Sequence, residues 1–442
     1  MEPELWNSGN EPKSHDVGLF SDLALFGETL RLASERGRVA ETLLTRELDQ
    51  RLRGLFLMKT PSLKVVTQLL RELRDFDWIK PEEPNRSHSA LVSYSLTAQG
   101  DAALSTWKAD RQEFRVKLAG QMHRVYVVPG WFVARLWQIN RAGQGEIIIP
   151  APLNDWRPDS RALDAAGWTD ALSREARRAA HCARETSQGS FPIEDADWTD
   201  SVERAWRRLS KLQPKNPVAA LYQPRERLHL AMRDAAIRLL FDRIPYRGAA
   251  PDFPGSKHPI PPRSFRAWCL RLAALEFISY TDTHPNVRGR LIFPAAVFRR
   301  QMSIASGRFK EVGGITTPNG ASLWLHQPDW QQFRSDFWNA AIQVHREVSL
   351  RTMSLYVSLL DVRDEVCRQL RLSADSFDDF LSRGLREMPR DDFPYSVSVE
   401  TDIREDQLGA RGRLRRPVYV AGVPHSLIAI ARLPKLAGSK AE

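Results

Sequence analysis

Arginines grouped in three segments carry the most specific chemistry in this sequence. They are Arg263, Arg266 and Arg271 in a basic, apolar run, Arg288 and Arg290 on either side of a glycine, and Arg411, Arg413, Arg415 and Arg416 in an Arg/Gly-rich stretch. A guanidinium presents a planar fork of donors that matches phosphate oxygens and the edge of guanine. The net charge is +10, from 64 basic and 54 acidic residues. A GC-rich bacterial genome encodes more arginine relative to lysine, which would account for the high ratio of arginine to lysine. It would not account for the excess of basic over acidic residues, which favours a polyanionic partner.

Motifs that identify common enzyme classes are missing from the sequence. It has no Gly-x-x-x-x-Gly-Lys-Ser/Thr loop and no His-Glu-x-x-His pair, and Cys182, Cys269 and Cys367 lie too far apart for a zinc ribbon. His181 and Cys182 are adjacent, and neighbours on a helix point about 100° apart. We therefore predict no catalytic residue, no metal and no cofactor. A DNA-processing enzyme with a dispersed active site stays open.

Acidic residues cluster in three places that could be compared with the carboxylate sites of metal-dependent nucleases. The clusters are Asp195, Asp197 and Asp200; Asp375, Asp378 and Asp379; and Asp391 and Asp392. The first two occupy predicted helix starts, where negative charge suits the helix dipole. The third flanks a turn, so none of the three is assigned to a metal.

The first region runs from about Gly18 to about Gly120 and is predicted to be helical before it forms a hairpin. Its last helix begins at Thr60-Pro61, with Val65, Leu69, Leu70 and Leu73 on one apolar stripe. Phe76, Trp78 and Ile79 then lead to a strand. A polar tip precedes an alternating run at 91–96.

This order resembles a bacterial winged-helix DNA-binding domain over about 60 residues. The resemblance rests on the helix with its leucine pair, the aromatic turn, the polar tip, and Tyr94, Leu96, Thr97 and Gly100 in a Tyr-x-Leu-Thr-x-x-Gly stretch. It implies that Lys64, Thr67 and Arg71 lie on a recognition helix and contact DNA. Winged helices also dock proteins, so a role without DNA stays open.

Two later segments repeat the order of helix, strand, basic tip and strand. The second is the helix at 263–275, with Arg288 and Arg290 in the tip that follows. The third has two helices, the second capped by Ser373, and then strands at Val397–Val399 and Val418–Val420 that enclose the arginines at 411–416. Those arginines suit phosphate or minor-groove contact. A basic loop with no ligand is the alternative.

The middle region is predicted to be mainly helical, with short strands at 125–128 and 146–149. The segment at 166–178 matches the segment at 196–208 with an offset of 30 residues. Thr169 and Thr199 occupy predicted cap positions in it. We expect two similar helices that pack side by side.

The sequence thus predicts a mainly α protein with small β-hairpins (α+β), with two or three winged-helix domains around a helical middle region. The predicted domains are 1–120 (winged helix), 121–224 (helical middle), 225–312 (second winged helix), 313–350 (connecting helix) and 351–442 (winged helix with a basic wing). The acidic N-terminus, the few cysteines and the lack of a long apolar run lead us to expect a cytoplasmic protein with no membrane contact.

The expected partners are double-stranded DNA and a protein partner or a second copy of the chain. Several winged helices in one chain resemble the DNA-recognition or adaptor subunits of multi-protein bacterial systems, including antiphage defence, by analogy alone. A protein–protein scaffold and a transcriptional regulator are the alternatives.

Overall fold

The computed structural model describes residues 17, 23–37, 39–53, 63–82, 93–126, 129, 132, 136, 146–152, 156, 165–186, 193–211, 224–242, 265–281, 284, 286–287, 289–295, 297–298, 309–316, 322–387, 393–401 and 418–433. Within these ranges the protein is mainly helical with small antiparallel sheets, which confirms the predicted fold class. The predicted domain boundaries stay predictions.

The helices are α1 (Ala24–Arg36), α2 (Glu41–Arg53), α3 (Leu63–Asp75), α4 (Ala98–Ala109), α5 (Arg111–Val125), α6 (Ala165–Thr186), α7 (Asp195–Lys211), α8 (Pro224–Ile237), α9 (Phe265–Ala274), α10 (Trp330–Thr352), α11 (Leu359–Leu370) and α12 (Ala374–Arg386). A π-helical turn (Arg238–Asp242) continues α8. The strands are β1 (Val39–Ala40), β2 (Ile79–Glu82), β3 (Ser93–Leu96), β4 (Ile147–Pro150), β5 (Ile278–Thr281), β6 (Gly289–Pro294), β7 (Val297–Phe298), β8 (Phe309–Thr316), β9 (Ser322–Pro328), β10 (Val357–Ser358), β11 (Tyr395–Glu400), β12 (Val418–Val420), β13 (Val423–His425) and β14 (Leu427–Arg432).

The chain forms two compact units. Unit 1 comprises Met1–Ala134, Ile244–Phe277 and Val312–Trp324, and unit 2 comprises Arg135–Arg243, Ile278–Glu311 and Leu325–Glu442.

In unit 1, α3 leads into a three-stranded antiparallel sheet with the order β1-β3-β2. Val66, Leu69 and Leu73 bury the apolar side of α3. The helix ends because Asp77 adopts a left-handed conformation (φ 57°) and the Trp78 N–H donates to the Leu73 carbonyl. The predicted sequence of helix, aromatic turn and strand is therefore present.

Strand β3 lies in the centre of this sheet, where Tyr94 opposes Val39 and Leu96 opposes Ile79. The Thr97 hydroxyl accepts a hydrogen bond from the Gly100 N–H (3.0 Å) and caps α4, as the Thr-x-x-Gly pattern predicts.

The core of unit 1 is aromatic and encloses one ion pair. Phe76 contacts Trp78 (centroids 5.3 Å apart) and Tyr126 (6.1 Å), and Tyr126 contacts Trp268 of α9 (5.6 Å). Within this apolar surrounding the Arg271 guanidinium binds the Glu72 carboxylate, and both side chains are 0% exposed. A buried pair of this kind needs good geometry, because each charge loses its hydration.

Helices α3 and α9 end in the same way. At the end of α9 the Phe277 N–H donates to the Leu272 carbonyl, and Glu276 is left-handed (φ 62°), as Asp77 is after α3. Glu72 directly precedes Leu73, and Arg271 directly precedes Leu272. The buried ion pair therefore joins equivalent positions of two similar helix–turn segments.

In unit 2, α6 and α7 pack side by side, as the repeat predicts, and the structure shows that they run antiparallel. Trp168 near the start of α6 stacks on Trp206 near the end of α7 (5.9 Å), and the Trp198 indole N–H donates to the Ala176 carbonyl (2.8 Å). The predicted caps are wrong, because both helices begin four residues earlier. The Thr199 hydroxyl instead donates to the Asp195 carbonyl inside α7.

Unit 2 contains two further three-stranded sheets, with the orders β4-β6-β5 and β10-β14-β11. In each of them the last strand in the chain lies in the centre, as β3 does in unit 1. The predicted pairing of the last wing is wrong, because β11 pairs with β14 (Val397 opposite Ile430) and Val418–Val420 pairs with Val423–His425.

One of the short strands predicted for the middle region needs correction, because Val125 belongs to the end of α5. Helix α10 lies in the region where the connecting helix is predicted, and the Asp329 carboxylate caps it by accepting from the Gln332 N–H (3.2 Å).

The buried pair gives a first prediction. Arg271→Met leaves the Glu72 carboxylate without its counter-ion in the core, so we expect a loss of about 3–5 kcal/mol in unfolding free energy, measured by urea denaturation. The double variant Glu72→Leu/Arg271→Met should recover most of that loss. Arg115→Met is the control, because the pair of Arg115 and Glu276 is partly exposed. A loss in Arg271→Met no larger than in the control would contradict the account.

Two helical glycines give a second prediction. A Cβ on Gly27 of α1 would overlap the Trp107 ring, whereas a Cβ on Gly120 of α5 would meet nothing within 4 Å. Gly27→Ala should therefore lower the unfolding free energy by about 1–3 kcal/mol. Gly120→Ala should raise it by about 0.5–1 kcal/mol. Equal effects of the same sign would be inconsistent with the packing of α1 on α4.

Candidate nucleic-acid interface

The outer face of α3 carries polar and basic side chains. Thr67 and Arg74 are exposed and Arg71 is half-buried, at a spacing of four and three residues. Residues at this spacing lie on one side of a helix. The predicted Thr67 and Arg71 are thus on one surface, and Arg74 extends it. Arg74 could have been found from the sequence, because it continues the same helical spacing.

The surface continues into the strand after α3. Lys80 of β2 is exposed. The sequence analysis does not include it, because the resemblance to a winged helix assigns the DNA contacts of this region to the helix. Lys64 lies on α3 at the position one turn before Thr67, and its side chain is outside the described residues. The hairpin tip at 83–92 is also outside them.

Of the two acidic residues of α3, Glu72 faces the core, whereas Asp75 lies one turn after Arg71. Glu72 is buried against Arg271, and Asp75 accepts a hydrogen bond from the Tyr126 hydroxyl (3.3 Å). Burial, reinforced by the negative charges of Glu72 and Asp75, raises the pKa of Tyr126, so its hydroxyl stays protonated and remains a donor. The Glu72 carboxylate therefore does not offset the positive charge of the outer face, and Asp75 lies at the edge of that face beside Arg71.

The second predicted DNA-contacting group is only partly at the surface. Arg266 of α9 is exposed, whereas Arg271 is fully buried in the pair with Glu72. The prediction that Arg271 contacts DNA is therefore wrong. The amphipathic pattern of the helix predicts an exposed basic residue at this position, but Arg271 has a buried counter-ion in Glu72. Arg263 lies outside the described residues.

In the last region the β12–β13 ribbon lies against the outer side of α12. The Asp378 carboxylate accepts from the Tyr419 N–H (3.2 Å), and the Ser382 hydroxyl accepts from the Ala421 N–H (3.1 Å). The ribbon therefore occupies part of the helix surface that would face a ligand in the predicted third winged helix. Arg411, Arg413, Arg415 and Arg416 lie outside the described residues.

The tip between β5 and β6 also differs from the prediction. Arg290 is only 9% exposed, so the structure does not place it on a DNA-contacting surface. Its Nη2 lies 3.4 Å from Nε2 of His229 on α8. Arg288 lies outside the described residues.

A buried charged network in unit 2 holds the segment between β5 and β6 on α11. His284 is buried with its Nε2 3.2 Å from the Glu365 carboxylate, and its Nδ1 accepts from the Asn286 N–H (3.1 Å). Arg368 bridges Glu365 (3.6 Å) and Glu146 (2.9 Å). Sequence reasoning missed this network, because its members are up to 222 residues apart.

The network changes the acidity of Glu365. Burial alone would raise the pKa of this carboxyl, but the hydrogen bond and charge of His284, the charge of Arg368 and a hydrogen bond from Gln369 together lower it to about 2. Glu365 is therefore an anion at neutral pH, and its contacts with His284 and Arg368 indicate a structural role.

The residue types considered for catalysis are otherwise engaged. His181 is 3.2 Å from Glu185, Asp195 pairs with Arg184, and Asp379 pairs with Arg383. Among the described residues, no group of three or more His, Cys, Asp or Glu side chains is arranged to hold a metal ion. None of the described helices combines the length and apolar composition of a bilayer-spanning segment.

Comparison with known proteins gives no assignment. No protein-family model matches the chain, and no curated protein sequence matches it.

The network predicts a specific pH dependence. The folded pKa of Glu365 lies below its ordinary value of 4.5, so its stabilising contribution is complete above about pH 4.5 and is lost as the pH falls through about 2. Glu365→Gln should therefore lower the urea midpoint most near pH 6, and the difference from the wild type should shrink as the pH falls below about 4.5.

The exposed Glu185 provides the matched control for this measurement. Glu185→Gln should change the midpoint little at any pH. A difference between Glu365→Gln and the wild type that stays constant from about pH 6 to about pH 3 would contradict the assignment.

Proposed function

We propose that the chain is a duplex-DNA-binding protein that uses the outer face of α3, and that it acts as a non-catalytic recognition or adaptor subunit. The observation that carries the proposal is the combination of exposed Thr67 and Arg74 with half-buried Arg71 on one side of α3, while Glu72 is buried against Arg271. Lys80 adds a further exposed cation on β2. Arginine and threonine donors of this kind bind phosphate oxygens and base edges.

The arrangement of unit 1 supports a winged-helix interpretation of this surface. The order α1-β1-α2-α3-β2-β3-α4 contains the helix, hairpin and capped following helix on which the resemblance rests. In related helix-turn-helix proteins the second helix of the motif enters the major groove. By analogy α3 is the recognition helix.

The adaptor part of the proposal rests on unit 2. The last turn of α10 and the loop after it expose large apolar side chains, with Leu350 at 67%, Met353 at 90% and Leu355 at 52% exposed. Exposed apolar groups close together in the chain are typical of protein–protein contact sites. We propose that unit 2 engages a protein partner or a second copy, in the cytoplasm of a bacterium and by analogy in a multi-protein system such as antiphage defence.

A scaffold without DNA binding is the second candidate, and the covered surface of α12 favours it for the last region. A stoichiometric protein complex without salt-dependent affinity for duplex DNA would support the scaffold. A transcriptional regulator would differ in reading a defined sequence, with mismatches that each cost about 1–3 kcal/mol.

DNA binding is tested by fluorescence anisotropy with a labelled duplex over a series of salt concentrations. The logarithm of the affinity should fall linearly with the logarithm of the salt concentration, and Arg71→Ala/Arg74→Ala should reduce the magnitude of the slope by about 2. The affinity at about 0.1 M salt should fall at least about tenfold.

Arg31→Ala is the matched control, because Arg31 is a partly exposed arginine of unit 1 that donates to Glu28 (3.0 Å). It should leave the salt dependence unchanged. No salt-dependent affinity in the wild type, or equal slopes for the wild type and Arg71→Ala/Arg74→Ala, would reject α3 as the DNA-binding surface.

A further inference from the structure

Arg290 is a buried cation without a carboxylate partner in the part of the chain that the structure describes. It is nine-tenths buried, and its Nε and Nη1 have no hydrogen-bond partner there. Its remaining polar contact is that of Nη2 with Nε2 of His229 (3.4 Å). A guanidinium does not lose its proton in a protein, so the charge itself persists in this position.

The surroundings of Arg290 are apolar on the sheet side. Arg290 of β6 lies directly opposite Ile149 of β4, and the next residue on the same face, Ile292, lies opposite Ile147. These three isoleucines are 2% exposed or less. An uncompensated charge in such a layer is unfavourable unless a counter-ion accompanies it.

The helix side adds positive charge. Arg225 and Arg233 lie four residues before and after His229, so the three share one side of α8. Asp234, the neighbouring acid, pairs with Arg208 and Arg238 (3.3 Å). Glu146, directly before β4, pairs with Arg368 and Arg371.

We propose that Arg290 and His229 form an anion-binding site in unit 2 for a phosphate group, either as the free ion or as the terminal group of a small phosphorylated ligand. A guanidinium binds two oxygens of such a group through two parallel N–H donors on one edge, which Nη2 forms together with either Nε or Nη1. Nε and Nη1 have no partner here, and Nη2 carries a second hydrogen besides the one that can face Nε2 of His229. The site is independent of DNA binding by α3.

Calorimetric titration of the full chain with inorganic phosphate tests the site, with chloride at matched ionic strength as the reference. The wild type should bind phosphate with a stoichiometry near one, and Arg290→Met should weaken that binding at least about tenfold. Arg266→Met, which removes an exposed arginine of unit 1, should bind phosphate as the wild type does. No binding by the wild type, or equal binding by Arg290→Met, would overturn the proposal.

Thermal unfolding without phosphate gives a second readout. Because Arg290→Met removes a buried charge that lacks a counter-ion, its melting temperature should equal or exceed that of the wild type, and phosphate should raise only the wild-type value. A lower melting temperature for Arg290→Met, with no effect of phosphate on the wild type, would show that Arg290 is structural and would overturn the proposal. Arg290→Lys keeps the charge without the fork and should also lose phosphate affinity, so it serves if the Met variant does not fold.

Adenosine monophosphate distinguishes the two sources of the phosphate group. Tighter binding than inorganic phosphate identifies a phosphorylated ligand, and binding of inorganic phosphate alone identifies the free ion. Either result supports the site when it depends on Arg290. The double variant Arg71→Ala/Arg74→Ala should retain this binding, so failure of the DNA interface and failure of the anion site can be told apart.

Discussion

The ion pair between Glu72 and Arg271 is the interaction on which the arrangement of unit 1 depends. Both side chains are withdrawn from water among Phe26, Met122 and the surrounding aromatic rings. Neither charge is tolerable there without the other, because the desolvation of each is offset only by their contact. Together with the buried Val66, Leu69 and Leu73, the pair places one side of α3 inward. Thr67 and Arg74 are exposed on the opposite side, and Arg71 is half-buried beside them.

The same pair explains why the arginines of the two similar helix–turn segments, α3 and α9, differ in their exposure. Glu72 and Arg271 occupy equivalent positions before two identical helix-ending turns, yet one helix presents an exposed basic face and the other contributes its arginine to the core. In the last region, the β12–β13 ribbon lies on α12. Of α3, α9 and α12, α3 therefore has the most exposed basic face in the described part of the chain.

Local patterns in the sequence are sufficient to predict several helices and their caps. The apolar stripe of α3, the caps at Thr97 and Ser373, and the side-by-side packing of α6 and α7 follow from local sequence patterns, and the structure contains them. Pairings between distant residues were not predictable in this way. Arg271 was placed on the surface because its counter-ion lies 199 residues earlier. The partner of β11 was misassigned because two apolar runs follow it, and only the long-range pairing selects β14.

Hydrogen–deuterium exchange of the full chain, with and without a saturating duplex at low salt, tests most directly whether α3 is the DNA-binding surface. The account predicts slower exchange over Leu63–Asp75 and the adjoining β2 on addition of DNA, with α9 and α12 unchanged. Protection of α9 or α12 while α3 exchanges as in the DNA-free protein would contradict it.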